Sequence, residues 1–431
     1  MSWPRSNARR HPTRLSAIAF SGSVTHMSTA GSIFASRSFS LFYTGQAFSY
    51  IGYGLRLIAL PLLVYHLTNS ASALGVTYAL ELMPFALLSP LGGSLADRVD
   101  RRRLMIVADG VRFSVFVFFA IAYATHTLSL PALYAGIVVE SACAAAFVSS
   151  QSSSIPYLLG KAMATRAFST LLATEQAAIT VLPPLGGALF AIVGPLPALL
   201  ATACTYLISQ ISIAAADTFG PDEPDGIPMV SEVRQDIATG FRFLASEVTL
   251  RTMTLTSCAF NFFGFMTGAV FIPFLKRDFG ASDLSIGYAF GVGAVGSVVG
   301  SFIAGRLPST VRFGRVITIA YVLDALLFVP VMFTHNLQVA ITFLTLTNAC
   351  VMFEIAQIVG WRTRVTPEGL VGRVFGAARL IALIGTVPGA IIGGALADHF
   401  GARLPIIISG FGYLAMALIV ASIPTIRRER R

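Results

Sequence analysis

Long apolar runs, each of about 20 residues, recur along this chain and are separated by short polar breaks. A helix of that length crosses a hydrocarbon core, and only helices and closed barrels satisfy their backbone groups there. The runs lack the alternation of barrel strands. They predict an all-α membrane protein with twelve transmembrane helices, at 39–67, 73–96, 104–125, 131–155, 168–193, 197–216, 250–275, 284–305, 314–334, 337–359, 374–397 and 404–423.

The composition excludes a soluble protein of this size. Aliphatic, aromatic and cysteine residues make up 55% of the 431 residues, and charged residues make up 12%. The four cysteines lie far apart inside predicted helices, which indicates packing residues rather than disulfides or metal ligands. We therefore expect no metal site and no cofactor.

The net charge of +10 could suggest nucleic-acid binding, but the positions of the basic residues indicate membrane topology instead. Most Lys and Arg residues lie in the N-terminal tail, in every second loop or in the C-terminal tail; Lys276, Arg277 and Arg403 lie in the opposite loops. This distribution predicts a multi-pass protein of the cell (inner or plasma) membrane with both termini cytoplasmic. The Arg- and Ser-rich first 38 residues are typical of a cytoplasmic tail or of a targeting segment, and translation could also start at Met27.

A long polar stretch divides the chain into two halves. It predicts a cytoplasmic tail at 1–38, six-helix halves at 39–216 and 250–423, a linker at 217–249 and a second tail at 424–431. The later part of the linker, with Phe241, Phe243 and Leu244, predicts a surface helix. At an offset of 207 residues, a run of identities supports a duplication: Arg166, Phe168, Gly186, Gly187, Ala188, Leu189, Gly194 and Tyr206 match Arg373, Phe375, Gly393, Gly394, Ala395, Leu396, Gly401 and Tyr413. Parallel halves with the substrate site at their interface are a common transporter architecture.

The break between the second and third helices reads Gly-Ser-Leu-Ala-Asp-Arg-Val-Asp-Arg-Arg-Arg over residues 93–103. A carboxylate at the end of one helix can accept hydrogen bonds from the free N–H groups at the start of another helix. Arginines beside it can hold the cytoplasmic side closed through ion pairs. We therefore interpret this loop as a breakable latch, with these candidate residues: Gly93, Asp97, Arg98, Arg101 and Arg102. A basic turn that serves topology alone would explain the arginines but neither Gly93 nor Asp97.

This loop resembles the signature Gly-x-Leu-Ala-Asp-Arg-x-Gly-Arg-Arg of the major facilitator superfamily, with Asp100 in place of the usual glycine. The resemblance covers nearly the whole chain and is to the branch of macrolide-efflux proteins and enterobactin-type siderophore exporters. Further short segments carry it, namely 59–61, 67–70, 240–244, 366–368 and 372–374. It implies the major facilitator fold and export of a small amphipathic organic molecule, such as a drug, siderophore or other metabolite, by proton antiport.

Two departures from the family pattern weaken the inference of proton coupling relative to that of transport. Many proton antiporters of the superfamily carry Gly-Pro-x-x-Gly-Gly in the fifth helix, whereas Leu182 replaces the first glycine here. Pro183, Gly186 and Gly187 still permit a bend and close helix packing. The fourth helix also lacks the arginine that often follows the signature loop in drug antiporters.

Polar stripes on four helices predict a lined cavity, because polar groups in lipid turn toward protein or water. The stripes lie on the first, fourth, seventh and tenth helices, which surround the central cavity in the fold that the chain resembles. Their substrate candidates are Gln46, Tyr50, Tyr53, Gln151, Asn261, Glu354 and Gln357. Phenylalanines around Asn261, at 260, 262, 263 and 265, suit an amphipathic or aromatic substrate, although ordinary packing is an alternative for each.

Buried acidic residues are candidates for proton coupling. Glu140 and Glu81 lie near mid-span, where an unpaired carboxylate is costly and either pairs with a cation or takes up a proton. Both residues could instead be structural partners of Arg56. Asp109 and Arg112, three residues apart on one helix, are expected to pair with each other or with the latch. Asp324 is left unassigned, because the fold places its helix at the periphery.

The sequence contains no recognisable catalytic pattern. It has no intramembrane protease motif and no phosphate-binding loop, so we expect neither an enzyme nor an ATP-driven pump. Uptake symport of a nutrient or lipid remains an alternative to export, as does a membrane sensor of the same fold. The expected partners are a small-molecule substrate, protons and the lipid bilayer, with the chain acting as a monomer and without nucleic acid.

Overall fold

A computed structural model describes residues 33–98, 100–217, 230–307, 312–367 and 370–423. Side chains are described throughout these ranges except at 86, 89–98, 153, 161–162, 230–237 and 372. The predicted tails and the first part of the predicted linker therefore lie mostly outside the described residues. The limits of the two halves remain a prediction.

The described chain consists of helices and contains no strand. After a short 3-10 turn, Ile33–Ala35, the order is α1 Arg37–Thr68, α2 Ala71–Arg98, α3 Arg101–Ala124, α4 Leu130–Val193, α5 Pro195–Ala215, α6 Val230–Ser246, α7 Val248–Phe279, α8 Asp283–Arg306, α9 Phe313–Phe333, α10 Leu337–Val365, α11 Val371–Phe400 and α12 Arg403–Ser422.

The predicted fourth and fifth transmembrane helices are the two limbs of α4. They run over Leu130–Gly160 and Met163–Val193 and meet at Gly160, whose φ of 71° is left-handed. The predicted break at 156–167 is thus largely wrong, because the helix continues through Pro156 and ends only where glycine permits the turn.

Eleven helices among the described residues are long and apolar enough to cross a membrane. The twelfth is α2, whose 28 residues contain the predicted second span. The structure thus confirms the predicted fold class, an all-α membrane protein with twelve helices in two sets of six.

Helices of the two halves cross at small residues. The second limb of α4 meets α8 at Gly187, where an added Cβ would lie 2.9 Å from the Cα of Gly287. At the crossing of α11 and α2, a Cβ on Gly394 would overlap the carbonyl of Ala71. Close backbone approach of this kind is how helices associate where lipid supplies no hydrophobic driving force.

The predicted surface helix of the linker is present as α6. It packs against α11 and α7. Leu244 is buried, and Phe241 and Phe243 pack on the hydrophobic core. Its apolar side therefore contacts the C-terminal half.

We refer to the two ends of the bundle by the chain features that they carry. The turn end holds the α1–α2, α7–α8 and α11–α12 connections, and the termini end holds the first and last described residues.

Candidate functional site

Five charged side chains form a buried cluster inside the N-terminal half, here called the ion cluster. They are Arg56 on α1, Glu81 on α2, Asp109 and Arg112 on α3, and Glu140 on α4. Nη1 of Arg56 lies 3.0 Å from Oε1 of Glu81 and 3.1 Å from Oε2 of Glu140. Nε and Nη2 of Arg112 both lie 3.1 Å from Oε1 of Glu140. Glu140, only 1% exposed, therefore joins the two guanidinium groups.

Neutral groups complete the surroundings of Arg112 and Asp109. Arg112 donates to Ser49 Oγ at 3.1 Å, to Asp109 Oδ1 at 3.2 Å and to Tyr206 Oη at 2.9 Å. Ser209 donates to the other oxygen of Asp109 at 2.5 Å. The ion cluster holds three carboxyl groups against two guanidinium groups, so full ionisation would leave one uncompensated negative charge. In a lipid-embedded site that excess favours the uptake of one proton.

The residues that the sequence named as proton candidates form ion pairs with an arginine in the structure. Glu81 and Glu140 both contact Arg56, and Asp109 contacts Arg112 as expected. Sequence reasoning missed the link from Arg112 to Glu140, because the two residues lie 28 positions apart on different helices, α3 and α4. A proton-carrying role for Glu140 or Glu81 remains a prediction.

A cavity of about 540 Å³ lies mainly within the C-terminal half. Side chains of α7, α8, α9, α10 and α12 line it, together with Tyr78 of α2 and residues 179, 180 and 183 of α4. Its volume is typical of a small-molecule site. Among the sequence candidates, Asn261, Glu354 and Pro183 contribute to its wall, as do Phe260 and Phe265.

The remaining substrate candidates lie outside this cavity. Tyr50 accepts a 2.5 Å hydrogen bond from Gln151, and the guanidinium of Arg56 lies 5.2 Å from the ring centre of Tyr53. Gln46 is fully buried, and its amide atoms have no hydrogen-bond partner among the described residues. Gln357 donates to the carbonyl of Ala304 at 3.0 Å.

The helix-bend candidates lie on the second limb of α4. Pro183 faces the cavity. Gly186 lies against α1, where an added Cβ would come within 2.8 Å of the Leu55 carbonyl oxygen, and Gly187 lies against α8. These glycines therefore allow close packing of α4 against both halves.

Asp324 lines the same cavity, which corrects its expected position at the periphery. On α9 it shares one buried face with Tyr321 and Phe328, at spacings of three and four residues. That face packs against α10 and α12. Glu354 on α10 lines the cavity as well, and each of the two acids is 2% exposed.

At the turn end, Asp398 joins the two halves. Near the end of α11, its carboxylate accepts from Ala71 N at 2.9 Å, Ser72 N at 2.8 Å and Ser70 Oγ at 2.6 Å. It thereby satisfies free N–H groups at the start of α2. Arg277 of α7 lies 3.2 Å from the same carboxylate.

Further polar contacts cross between the halves at this end. Arg277 donates to the carbonyl of Asn69 at 2.5 Å and to Tyr65 Oη at 3.2 Å. His66 of α1 lies 2.9 Å from Asp283 of α8, which also pairs with Lys276 at 2.6 Å. We call the contacts of Asp398, Arg277 and Asp283 the turn-end lock.

The signature loop lies at the termini end. At Gly93, Asp97 and Arg98 the structure describes only the helical backbone, so their latch role remains a prediction. Asp100, the departure from the family pattern, caps the start of α3 by accepting from Arg102 N at 2.9 Å and Arg103 N at 3.4 Å.

The described arginines of this loop contact their own half. Arg102 donates to the carbonyls of Ile213, at 3.1 Å, and Ala214, at the end of α5. Arg101 lies over the ring of Tyr157, 4.7 Å from its centre. Arg102 thus compensates the negative end of a helix.

A repeated motif in the sequence is a signal for the turn-end lock. Gly-Gly-x-Leu-Ala-Asp occurs at 92–97 and again at 393–398. The first copy ends α2 at the termini end, and the second ends α11 at the turn end. An offset of 207 residues pairs the second copy with the fifth predicted helix, so it does not pair the two copies with each other.

Comparisons with known proteins identify the family. The profile of the transmembrane secretion effector family matches residues 28–430. The enterobactin exporter EntS of Citrobacter koseri is 24% identical over 400 residues, covering 89% of this chain and 91% of that protein. EntS of Salmonella typhimurium is 23% identical over 398 residues, with the same shares covered.

Solved transporter structures share the fold. A bacterial homologue of the human lysosomal transporter Spinster, in an inward-facing and unoccupied conformation, has a TM-score of 0.72 at 14% identity and covers 89% of this chain and 96% of that one. A bacterial homologue of the iron transporter ferroportin, inward-facing, has a TM-score of 0.65 at 14% identity and covers 88% and 98%. The chain belongs to the transmembrane secretion effector family of the major facilitator superfamily and is a membrane transporter rather than an enzyme.

Proposed function

We propose that this transporter exports a small amphipathic organic molecule across the cell membrane in exchange for protons. The arrangement that carries the proposal is an aromatic-walled cavity in one half beside a buried cluster of three carboxyl and two guanidinium groups in the other. The similarity to enterobactin exporters supports export. The cavity supplies a substrate site, and the ion cluster supplies groups that can take up and release a proton.

The orientation follows from the basic residues. Since most of the described Lys and Arg residues lie at the termini end, that end is cytoplasmic and the turn end faces outward. Residues 1–38, 217–249 and 424–431 are then cytoplasmic segments around halves at 39–216 and 250–423. Reporter fusions at either terminus or near Asp225 test this topology, and an outward signal from any of them would overturn it.

With this orientation, the turn-end lock closes the outer side. Asp398 of the C-terminal half caps α2 of the N-terminal half, and Asp283 contacts His66 of α1. Substrate would therefore enter the cavity from the cytoplasm in this conformation. Opening toward the outside requires these contacts to break, and the signature loop with Asp97 is then available to close the cytoplasmic side.

Glu140 is the residue best placed to couple a proton to this change. It contacts both Arg56 and Arg112, so its protonation weakens two ion pairs at once. With the outer side open, uptake of a proton by Glu140 leaves Arg56 paired with Glu81 alone. With the inner side open, loss of that proton to the cytoplasm restores both pairs and resets the site. Glu81, which contacts only Arg56 in the ion cluster, is the alternate carrier.

The test uses purified protein in liposomes with an imposed pH gradient. Glu140→Gln, which mimics the protonated side chain, should abolish gradient-driven transport while substrate exchange without a gradient continues. Glu175→Gln, which removes a carboxyl group of α4 that is outside both the ion cluster and the cavity, is the matched control. A Glu140→Gln protein that still accumulates substrate in response to the gradient would exclude Glu140 and shift the test to Glu81→Gln.

The substrate for that assay comes from comparing the exported metabolites and the growth inhibition of a deletion strain with those of its parent. Loss of a metabolite from the medium indicates export. Loss of uptake instead would support the symport alternative.

A further inference from the structure

Two buried acids in the cavity lack the basic partners that the acids of the ion cluster have. Asp324 and Glu354, each 2% exposed, line the cavity from α9 and α10. Oδ1 of Asp324 and Oε1 of Glu354 are buried and make no hydrogen bond within the described part of the chain. No described basic side chain forms an ion pair with either acid.

Apart from Arg362, the titratable side chains near these acids are neutral. Tyr321, Cys350 and Tyr413 lie nearby on α9, α10 and α12, and Tyr78 of α2 reaches the cavity wall. Helices α7 and α8 contribute no titratable side chain to the described lining. Arg362, two turns beyond Glu354 on α10, is the exception; it lies against Phe375 and outside the cavity lining.

A cavity with this lining favours an occupant that brings positive charge. Two unpaired carboxylates in a low-dielectric site are unfavourable by several kcal/mol, and the cost falls when a proton or a cation enters. Aromatic rings of Phe260, Phe265, Tyr321 and Tyr413 line the same cavity as the acids. Such rings attract a cation through their faces and accommodate the apolar part of an amphipathic molecule.

From these contacts, and resting on the export function proposed above, we infer that the cavity binds organic cations. Asp324 and Glu354 hold the cationic group, such as an ammonium, while the aromatic wall holds the apolar body. In the empty cavity the two acids bind protons instead. When the cation enters, one proton leaves the acids, so the charge of the site is unchanged.

This exchange makes binding depend on pH in a defined direction. Because each bound cation displaces one proton, a higher proton concentration weakens cation binding. The apparent affinity falls by up to about tenfold for each unit that the pH is lowered, within the range where the acids are protonated. The tyrosines and Cys350 do not cause this pH dependence of cation binding, because they stay neutral when the pH is lowered.

The test compares two ions of nearly equal size and opposite charge on the purified full-length protein in detergent. Tetraphenylphosphonium should bind, with release of about one proton per ion into weakly buffered solution, and tetraphenylborate should not compete with it. Asp324→Asn and Glu354→Gln should each weaken the binding by about thirtyfold or more, as expected when one partner of a buried charge contact is removed. Glu175→Gln, outside the cavity, should bind with wild-type affinity.

Three results would overturn the inference. They are wild-type protein that binds neither ion, a double variant Asp324→Asn/Glu354→Gln that binds tetraphenylphosphonium as the wild type does, and binding without proton release. Thermal melting of each variant separates lost binding from lost folding, and Asp324→Glu, which keeps the charge, should retain binding. If the cation does not bind, the export proposal still stands, because an exported molecule can be neutral. Failure of export would leave the binding result standing.

Discussion

Asp398, near the end of α11, accepts a hydrogen bond from the backbone N–H of Ala71 at the start of α2, with 2.9 Å between Oδ1 and N. The two residues belong to different halves of the transporter. The contact therefore exists only while the turn end is closed, and it stabilises that conformation relative to one in which the halves separate there.

Replacing Asp398 with Ala should shift the protein toward the conformation with an open turn end. Loss of the cap costs about 1 kcal/mol, which corresponds to roughly a fivefold change in the population ratio. Spin labels at Leu67 and Leu284, two exposed positions at the turn end, report the change as a longer distance. Asp278→Ala is the matched control, because Asp278 pairs with Arg403 inside the C-terminal half, at 3.1 Å. An unchanged distance distribution in Asp398→Ala would leave this contact without a gating role.

Replacing Asp97 with Asn should shift the equilibrium the opposite way. We propose that its carboxylate stabilises the arrangement closed on the cytoplasmic side, so turnover should drop while expression stays normal. The double variant Asp97→Asn/Asp398→Ala should return the spin-label distances toward those of the wild type. Wild-type turnover in Asp97→Asn would leave the signature loop with a topological role only.

Asp100 should matter for stability rather than for transport. Its side chain caps α3, so Asp100→Ala should cost about 1 kcal/mol of unfolding free energy. Asp100→Asn retains an acceptor and should melt close to the wild type. Thermal melting in detergent compares the three proteins, and equal melting temperatures would contradict the capping role.

Arg112 should be required for the N-terminal half to fold. Removing it leaves Asp109 buried with Ser209 as its one remaining hydrogen-bond partner among the described residues, whereas Glu140 keeps Arg56. Arg112→Met should therefore destabilise the protein by about 3–5 kcal/mol, as when one member of a buried ion pair is removed. Adding Asp109→Asn to that variant should restore part of the loss. Melting temperatures that fall further in the double variant would show that Asp109 is not the destabilising group.

The sequence by itself determined the fold class and a small part of the cavity wall. Runs of apolar residues fix which segments enter lipid, since each backbone polar group must be satisfied inside its own helix there. Periodicity placed Asn261 and Glu354 on stripes, and both line the cavity. The spacing of Asp109 and Arg112 on one helix made their contact one of the two predicted pairings, because residues three apart share a face, and the structure shows that contact.

Tertiary structure decided which distant residues meet. Periodicity shows that a helix has a polar face but not which neighbour that face contacts, so it could not show that Gln46 and Tyr53 lie outside the cavity of about 540 Å³ that Asn261 and Glu354 line. Asp324 was set aside because its helix was expected at the periphery, yet the packing of α9 places it in the wall of the cavity that Glu354 also lines. The meeting of Asp398 with Ala71, 327 residues away, depends on how two halves pack across glycines. Local sequence determines helices because their hydrogen bonds are local, whereas sites between helices depend on rotations and crossings that only the packed structure sets.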